Sequence, residues 1–441
     1  MFQSDVRLRR NCGAAVKNTF REIPGSICAP LGFKAAAVFC DIKRLGTGKG
    51  SEKGRKRDLA LIVSDVPAAV AGMFTTNQVC AAPVKVSAKN AKRKFARGIV
   101  VNSGNANACT GEQGLKDATS MTEIAARQLG GSPNEFLVCS TGRIGVPMPM
   151  TNVKRGIADA AKKLSRSAAS ARDAADAIMT SDTRRKEIAV EFTMGGVPVR
   201  IGGICKGAGM IQPGMAPHAT MLGFITADAV ISSALLRESL AKAVEQSFNR
   251  ITVDGDMSTN DTVLILANGL AGNAAIDAQL FQRALNFVTL ELAKMIVRDG
   301  EGVTRFVTLR VSGGRTPEDA EAVARSVANS TLVKTSWFGG DPNWGRILCA
   351  IGYSKAKVTE GKIDVGYGQP GKRKITFAVR HGRPTKVGLQ TLGAIVGQPE
   401  FDLHIFLNAG RHDCVLYTSD LTEEYVEFNK GDLSDPKSLG G

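Results

Sequence analysis

The segment 206–224, KGAGMIQPGMAPHATMLGF, limits most strongly what this chain can fold into. Its glycine-rich approach is irregular and can take up strained backbone conformations closed to other residues. The apolar run 221–225 then reads as a buried strand. Thr220 stands between a flexible approach and a rigid anchor, an arrangement that favours attack on the peptide bond in front of it. If Ala219-Thr220 breaks, Thr220 gains a free α-amino group with an unperturbed pKa of about 8, a built-in general base for its own hydroxyl. Such chemistry needs no histidine. Of the four histidines, His218, His381, His404 and His412, only His218 lies near a nucleophile in sequence. A Ser-His-Asp arrangement assembled in space has no sequence support.

The 441 residues, 43% hydrophobic, can bury a sizeable core and suggest two or three domains. No apolar run approaches the roughly 18 residues of a membrane-spanning helix, and the opening has no signal core. A cytoplasmic protein is expected. The opening carries Arg7, Arg9, Arg10 and Lys17 against Asp5, so an organelle matrix stays open. Residues 1–24 read as a basic lead-in, with the fold starting near Gly25. Nine cysteines, scattered singly and without a CxxC pair, indicate a reducing compartment and disfavour a zinc site. The net charge of +16 is concentrated in runs at 43–57, 92–97 and 184–186, where Phe95 is the one aromatic residue. Nucleic-acid binding would call for aromatics among the basic residues. Small anionic substrates explain the charge at least as well. Neither nucleic acid nor membrane is an expected partner.

Short apolar strands are expected at 35–39, 59–63 and 99–101, and alanine-rich helices at 115–129 and 157–178. Strands 188–193 and 197–201 flank the hairpin signal Gly195-Gly196. After Thr220 the pattern restarts: strand 221–226, helix 235–248, strand 262–267. Thr316 and Pro317, followed by Glu318 and Asp319, mark a helix start running to about 330. From about 355 onward, strand-like segments and a helical stretch at 389–396 read as a carboxyl-terminal subdomain. Sheets with helices on their outer faces fit both halves, an α/β class. Two lookalikes fail. GTGKGS at 46–51 lacks the glycine spacing of a phosphate loop. DGDMSTND at 254–261 lacks the turn glycine and the closing glutamate of a calcium loop, and reads as a structural turn.

Several motifs in order, VNSGNANACTG at 101–111, STG at 140–142, KGAGM at 206–210, ATML at 219–222, DGDMSTND at 254–261, DGEG at 299–302 and GGDPNWGR at 339–346, resemble the arginine-biosynthesis ornithine acetyltransferases, also called glutamate N-acetyltransferases. The resemblance runs from about Gly25 to Asn429. It implies an α/β sandwich related to the self-processing aminopeptidases, with the nucleophile at the junction of an α chain, 25–219, and a β chain, 220–441. The two chains of such a precursor stay together, usually as an α2β2 assembly. The implied reaction moves an acetyl group from N2-acetylornithine to Thr220 and then to glutamate. Thr141 and Gly142 are implied as the oxyanion hole. Thr180, the first hydroxyl of TSDT at 180–183, together with Lys206, Glu301, Asn429 and Ser434, is implied in substrate contact. Glu301 suits the side-chain amine of ornithine, and Lys206 a carboxylate. Asn105 and Asn107 are expected to satisfy loop backbone, and Trp344 to pack in the core. No metal or cofactor is implied. Whether acetyl-coenzyme A serves as a second donor stays open.

The chain departs from the family pattern at Ala216-Pro217-His218, which intervene before the scissile bond, and in residues 435–441, which extend the tail. An alternative is a self-processing aminopeptidase or amidase on a related fold, in which water replaces glutamate as acceptor.

Overall fold

The computed structural model describes residues 20–43, 56–213 and 221–430. Nine strands form the first sheet: β1 (Phe20–Glu22), β2 (Phe33–Val38), β3 (Leu59–Phe74), β4 (Phe95–Asn105), β5 (Phe136–Arg143), β6 (Lys186–Met194), β7 (Val197–Lys206), β8 (Leu222–Ala227) and β9 (Thr262–Ala267). Their order is β1-β6-β7-β8-β9-β3-β4-β5, with β2 on β3. Side chains alternate across the 16-residue β3. Ala60, Ile62, Ala68 and Val70 face one apolar cluster, whereas Leu59 and Leu61, then Ala69 and Ala71, face two others. The sheet is therefore buried on both faces, which explains why its central strands are continuously apolar.

Helices close the faces. α1 (Ala82–Asn90), α2 (Gly111–Leu129) and α3 (Met150–Ala161) surround one end, and α4 (Ala168–Ile178) packs on β2 and β3. α5 (Ser233–Glu245) and α6 (Ala278–Arg298) cover the sheet that includes β6 and β7. The single helix expected at 157–178 is two helices. Ser165 pairs through its backbone with Ala35, and the Ser167 hydroxyl accepts the Ser170 N–H, so capping restarts the helix. Gly195 and Gly196, at φ 60° and 83°, make the two-residue hairpin turn with the right-handed twist the flanking strands need.

A second sheet comprises β10 (Phe306–Gly314), β11 (Asp364–Gly368), β12 (Ile375–Arg380), β13 (Arg383–Pro384), β14 (Glu400–Phe406) and β15 (His412–Ser419), in the order β13-β12-β11-β14-β10-β15. It is covered by α7 (Pro317–Ala328), α8 (Thr331–Phe338), α9 (Trp344–Gly352) and α10 (Leu389–Val396), and α11 (Glu423–Phe428) follows β15. One core joins Val307, Leu309 and Val311 of β10 to Phe401 and Leu416. The subdomain start expected near 355 thus falls inside a unit whose strand β10 lies between β14 and β15. At the other terminus, Phe20–Glu22 pairs with β6, so regular structure precedes Gly25. None of the eight described cysteines is in a disulfide. Among the described residues no helix is long and apolar enough to cross a membrane. The lookalike at 46–51 lies outside the described residues.

Candidate active site

β7 ends at Lys206, and β8 begins two residues after Thr220, directly opposite: Lys206 pairs with Leu222, and Leu222 with Thr262 of β9. Met221, covalently joined to Thr220, gives its carbonyl to the Thr262 N–H at 2.9 Å. A rigid three-strand segment therefore holds the β-chain side of the candidate scissile bond. The approach on the other side is fixed by the turn at 254–261. The Asp254 carboxylate accepts the N–H groups of Met210 (2.7 Å), Ile211 (2.8 Å) and Asp256 (3.1 Å), while the Gln212 N–H reaches the Asp256 carbonyl at 2.8 Å. Those lone pairs bind backbone donors, which fits the reading of this stretch as a structural turn. Met210 is a non-glycine residue at φ 58°, a strained conformation that the Asp254 bond helps hold.

Lys206 is buried, and among the described residues its ammonium has no hydrogen-bond or ion-pair partner. Burial lowers its pKa, and the neighbouring Asp182 offsets this only in part. An unpaired buried ammonium is costly unless something supplies an anion. Beneath it lies a charged cluster. Lys186, at 1% side-chain exposure, donates to Asp182 Oδ1 at 2.6 Å and to Asp299 Oδ2 at 2.5 Å. Asp182 also accepts the Gly207 N–H at 2.7 Å and the Thr180 N–H at 3.0 Å. Burial alone would raise the Asp182 carboxyl, but Lys186 and Lys206 outweigh it and hold it well below the usual carboxylate range. Glu301 joins the same place, with its N–H on the Ala208 carbonyl at 3.1 Å and its carboxylate bonded by Asn429 Nδ2 at 2.8 Å. A Cβ added at Gly209 would sit 2.5 Å from that carboxylate, so any other residue there would have to push the Glu301 side chain aside.

Thr141 and Gly142 end β5. Gly142 has φ 126°, and a Cβ there would lie 2.4 Å from the Gly104 carbonyl carbon, so this backbone crossing requires glycine. Asn260 ties the neighbourhood to the start of β9, donating to the Ala106 carbonyl at 2.6 Å and the Ser140 carbonyl at 2.9 Å, two residues before Thr262. Asn105 and Asn107 serve loop backbone as expected: Asn105 Oδ1 accepts the Asn107 N–H, and Asn107 Nδ2 donates to the Gly114 carbonyl.

Of the residues put forward from sequence, Thr180, Lys206, Glu301 and Asn429 are linked by direct or one-residue-removed contacts, and Thr141 and Gly142 approach through Asn260. Ala219, Thr220, Ser434 and the stretch Ala216-Pro217-His218 lie outside the described residues. Sequence reasoning missed Asp182, Lys186, Asp254 and Asp299 as structural parts of the site. It also missed Lys43, whose ammonium burial pushes down to about 8 and which feels Asp182 and Lys206 as neighbours. Asp182 sits inside the TSDT motif, the one signal that could have flagged it. Among the described residues no cluster could hold a metal ion.

Helices around two sheets, with a buried ammonium and carboxylates gathered at strand ends, define an α/β protein with a charged candidate site. The ArgJ family model matches residues 35–431, and the chain belongs to that family of arginine-biosynthesis acyltransferases. It is 45% identical over 412 residues to the arginine biosynthesis bifunctional protein ArgJ of Symbiobacterium thermophilum, covering 92% of this chain and 98% of that protein. It is 44% identical over 416 residues to a glutamate N-acetyltransferase of Methanocaldococcus jannaschii, covering 93% and 98% respectively. A solved ornithine acetyltransferase from Mycobacterium tuberculosis, complexed with ornithine, aligns with a TM-score of 0.40 at 35% identity, over 44% of this chain and 99% of that one.

Proposed function

We propose that this acyltransferase cuts itself at Ala219-Thr220 and uses Thr220 to carry an acetyl group from N2-acetylornithine to glutamate. Thr220 Oγ attacks the acetyl carbonyl, its proton passing to the new α-amine of Thr220. The oxyanion is met by donors from the Thr141-Gly142 pair, each typically worth on the order of 3 kcal/mol. The C–N bond breaks, the amine returns the proton to the leaving nitrogen, and ornithine departs. The α-amine of glutamate then attacks the acetyl-threonine ester, and N-acetylglutamate leaves as Thr220 Oγ regains a proton. Lys206 pairs with a substrate carboxylate, Glu301 with the side-chain ammonium of ornithine, and Thr180, Asn429 and Ser434 line the same site. The cut chains, 1–219 and 220–441, assemble as α2β2.

The observation that carries this reading is the buried Lys206, whose ammonium has no partner among the described residues and whose backbone pairs with the strand that Thr220 leads into. Intact-mass and amino-terminal analysis of the expressed chain tests it, beside Thr220→Ala. The wild type is expected to give a new terminus at Thr220 and the variant to stay whole; a terminus elsewhere overturns the reading. Acetylornithine turnover that does not depend on glutamate would favour the amidase alternative. Turnover with acetyl-coenzyme A as donor would make the enzyme bifunctional, as the name of the Symbiobacterium relative states of that protein.

A further inference from the structure

We propose that Lys186 is a positioning residue that keeps the Lys206 ammonium free for substrate by occupying the carboxylates that would otherwise capture it. The inference rests on the substrate role given to Lys206 above. Lys186 and Lys206 lie buried against Asp182 and Asp299, with Lys43 and Glu301 as further charged neighbours. The pairing is uneven. Lys186 takes both carboxylates, and Lys206 takes neither. Burial would lower the Lys186 ammonium, but Asp182 and Asp299 outweigh it and raise its pKa, so the residue stays charged.

The same cluster joins three segments far apart in sequence. Asp182 holds the N–H groups of Thr180 and Gly207. Asp299, at the end of α6, accepts the N–H groups of Thr183 (3.1 Å) and Arg184 (3.2 Å) and the Thr183 hydroxyl. Two residues further on, Glu301 bonds the Ala208 carbonyl. Lys186 bridges Asp182, four residues before it, and Asp299, 113 residues after it. Without it, two buried carboxylates face one ammonium. Asp182, already bonded to the residue after Lys206, then draws the Lys206 ammonium to itself. A substrate carboxylate must compete for it, and binding weakens more than chemistry does.

The test uses the full chain and compares KM and kcat for acetylornithine, per cleaved enzyme, in wild type and Lys186→Met. KM is expected to rise about tenfold or more with kcat within about threefold, the pattern of lost uniform binding. Adding Asp182→Asn to Lys186→Met removes the competing charge and is expected to bring KM back at least threefold, whereas a merely structural role predicts a further loss. KM unchanged in Lys186→Met, or no recovery in the double variant, overturns the proposal. If Lys186→Met does not fold, Thr183→Val decides instead. Thr183 is exposed, so its loss leaves the core alone while loosening Asp299; about a twofold to threefold rise in KM supports the proposal and an unchanged KM overturns it. A wild-type chain that cuts itself but shows no acetylornithine-dependent acetylation of glutamate removes the proposed function, and this inference with it.

Discussion

Of the buried lysines, Lys186 beside the first sheet and Lys334 beside the second are held in different ways. At the site end of the first sheet, Lys186 lies between Asp182 and Asp299, and its pKa is raised. Under the second sheet, Lys334 of α8 donates to the Ser419 carbonyl and to the hydroxyls of Thr418 and Ser419, and burial pushes it down to about 8. The first arrangement fixes a charge and, through it, three loops. The second fixes a chain turn with a charge it does not neutralise by contact. The surroundings follow suit. Asp58, Asp182, Asp254 and Asp299 each collect backbone N–H groups around the site, while the second sheet is held by apolar packing of Val307, Leu309, Trp337, Tyr367 and Phe401. Apolar packing stabilises both regions, and the first adds a buried charge cluster at its site. Substitutions should therefore separate kinetics from stability according to region.

The largest effect is expected from Trp337→Ala. Trp337 is 1% exposed and meets Phe401 edge-on at 6.0 Å between ring centres. Its truncation should cost about 3–5 kcal/mol in a urea unfolding titration, with the KM for acetylornithine unchanged. Trp337→Phe should cost less than half of that, because it keeps a ring against Phe401 and deletes a buried indole N–H that has no partner among the described residues. A KM increase as large as that expected for Lys186→Met would break the division between the two regions.

Lys334→Met tests the difference between the two lysines through pH. The folded-state pKa of Lys334 is lowered to about 8, against about 10.4 for an unfolded lysine. Between those values the unfolded chain binds more protons, so this group makes stability rise with pH. Its penalty is fully present below pH about 8 and is relieved as pH climbs towards about 10.4. The stability of the Met variant relative to wild type should therefore fall between pH 7 and 10.5 by on the order of 3 kcal/mol. Parallel urea titrations at the two pH values measure it. A relative stability independent of pH would mean that Lys334 keeps an ordinary pKa and that the two lysines do not differ as described.

Much of the scaffold is legible in the sequence, because periodicity and capping are local. Thr316 does accept the Asp319 N–H and starts α7 at Pro317, and Thr262–Ala267 is a strand as its apolar run predicts. α6 was equally legible, with Phe281, Leu285, Val288, Leu292 and Ile296 on one face and Asp277 as its cap, although the elements read from sequence omit it. The site is legible only in part. Thr180, Lys206 and Glu301 stand out through motifs, but the contact between Lys186 and Asp299 that ties their segments together is encoded by no local spacing. The extent of the second sheet is hidden from local sequence for the same reason. β10 pairs with β14 and β15, roughly ninety residues or more downstream, and only long-range pairing shows that it belongs to the second core.

The smallest expected effect, and the one that probes the charged region most directly, comes from Asp254→Asn. Asp254 holds the N–H groups of Met210 and Ile211 at one oxygen each, and the Tyr425 hydroxyl donates to Oδ2 at 3.3 Å. An amide keeps one acceptor and turns two donors towards N–H groups that need an acceptor, so the Met210–Ile211 backbone loses part of its anchor. The approach to Ala219-Thr220 would then sample more conformations before the attacking one. Self-cleavage of the precursor should slow about tenfold, equivalent to about 1.4 kcal/mol on its barrier, followed by mass analysis at timed intervals. Once cut, the enzyme no longer depends on how the scissile carbonyl is presented, so kcat per cleaved chain should change less than the cleavage rate does. Equal losses in both would show that Asp254 also matters to the cleaved enzyme. An unchanged cleavage rate would show that β8 alone presents the bond.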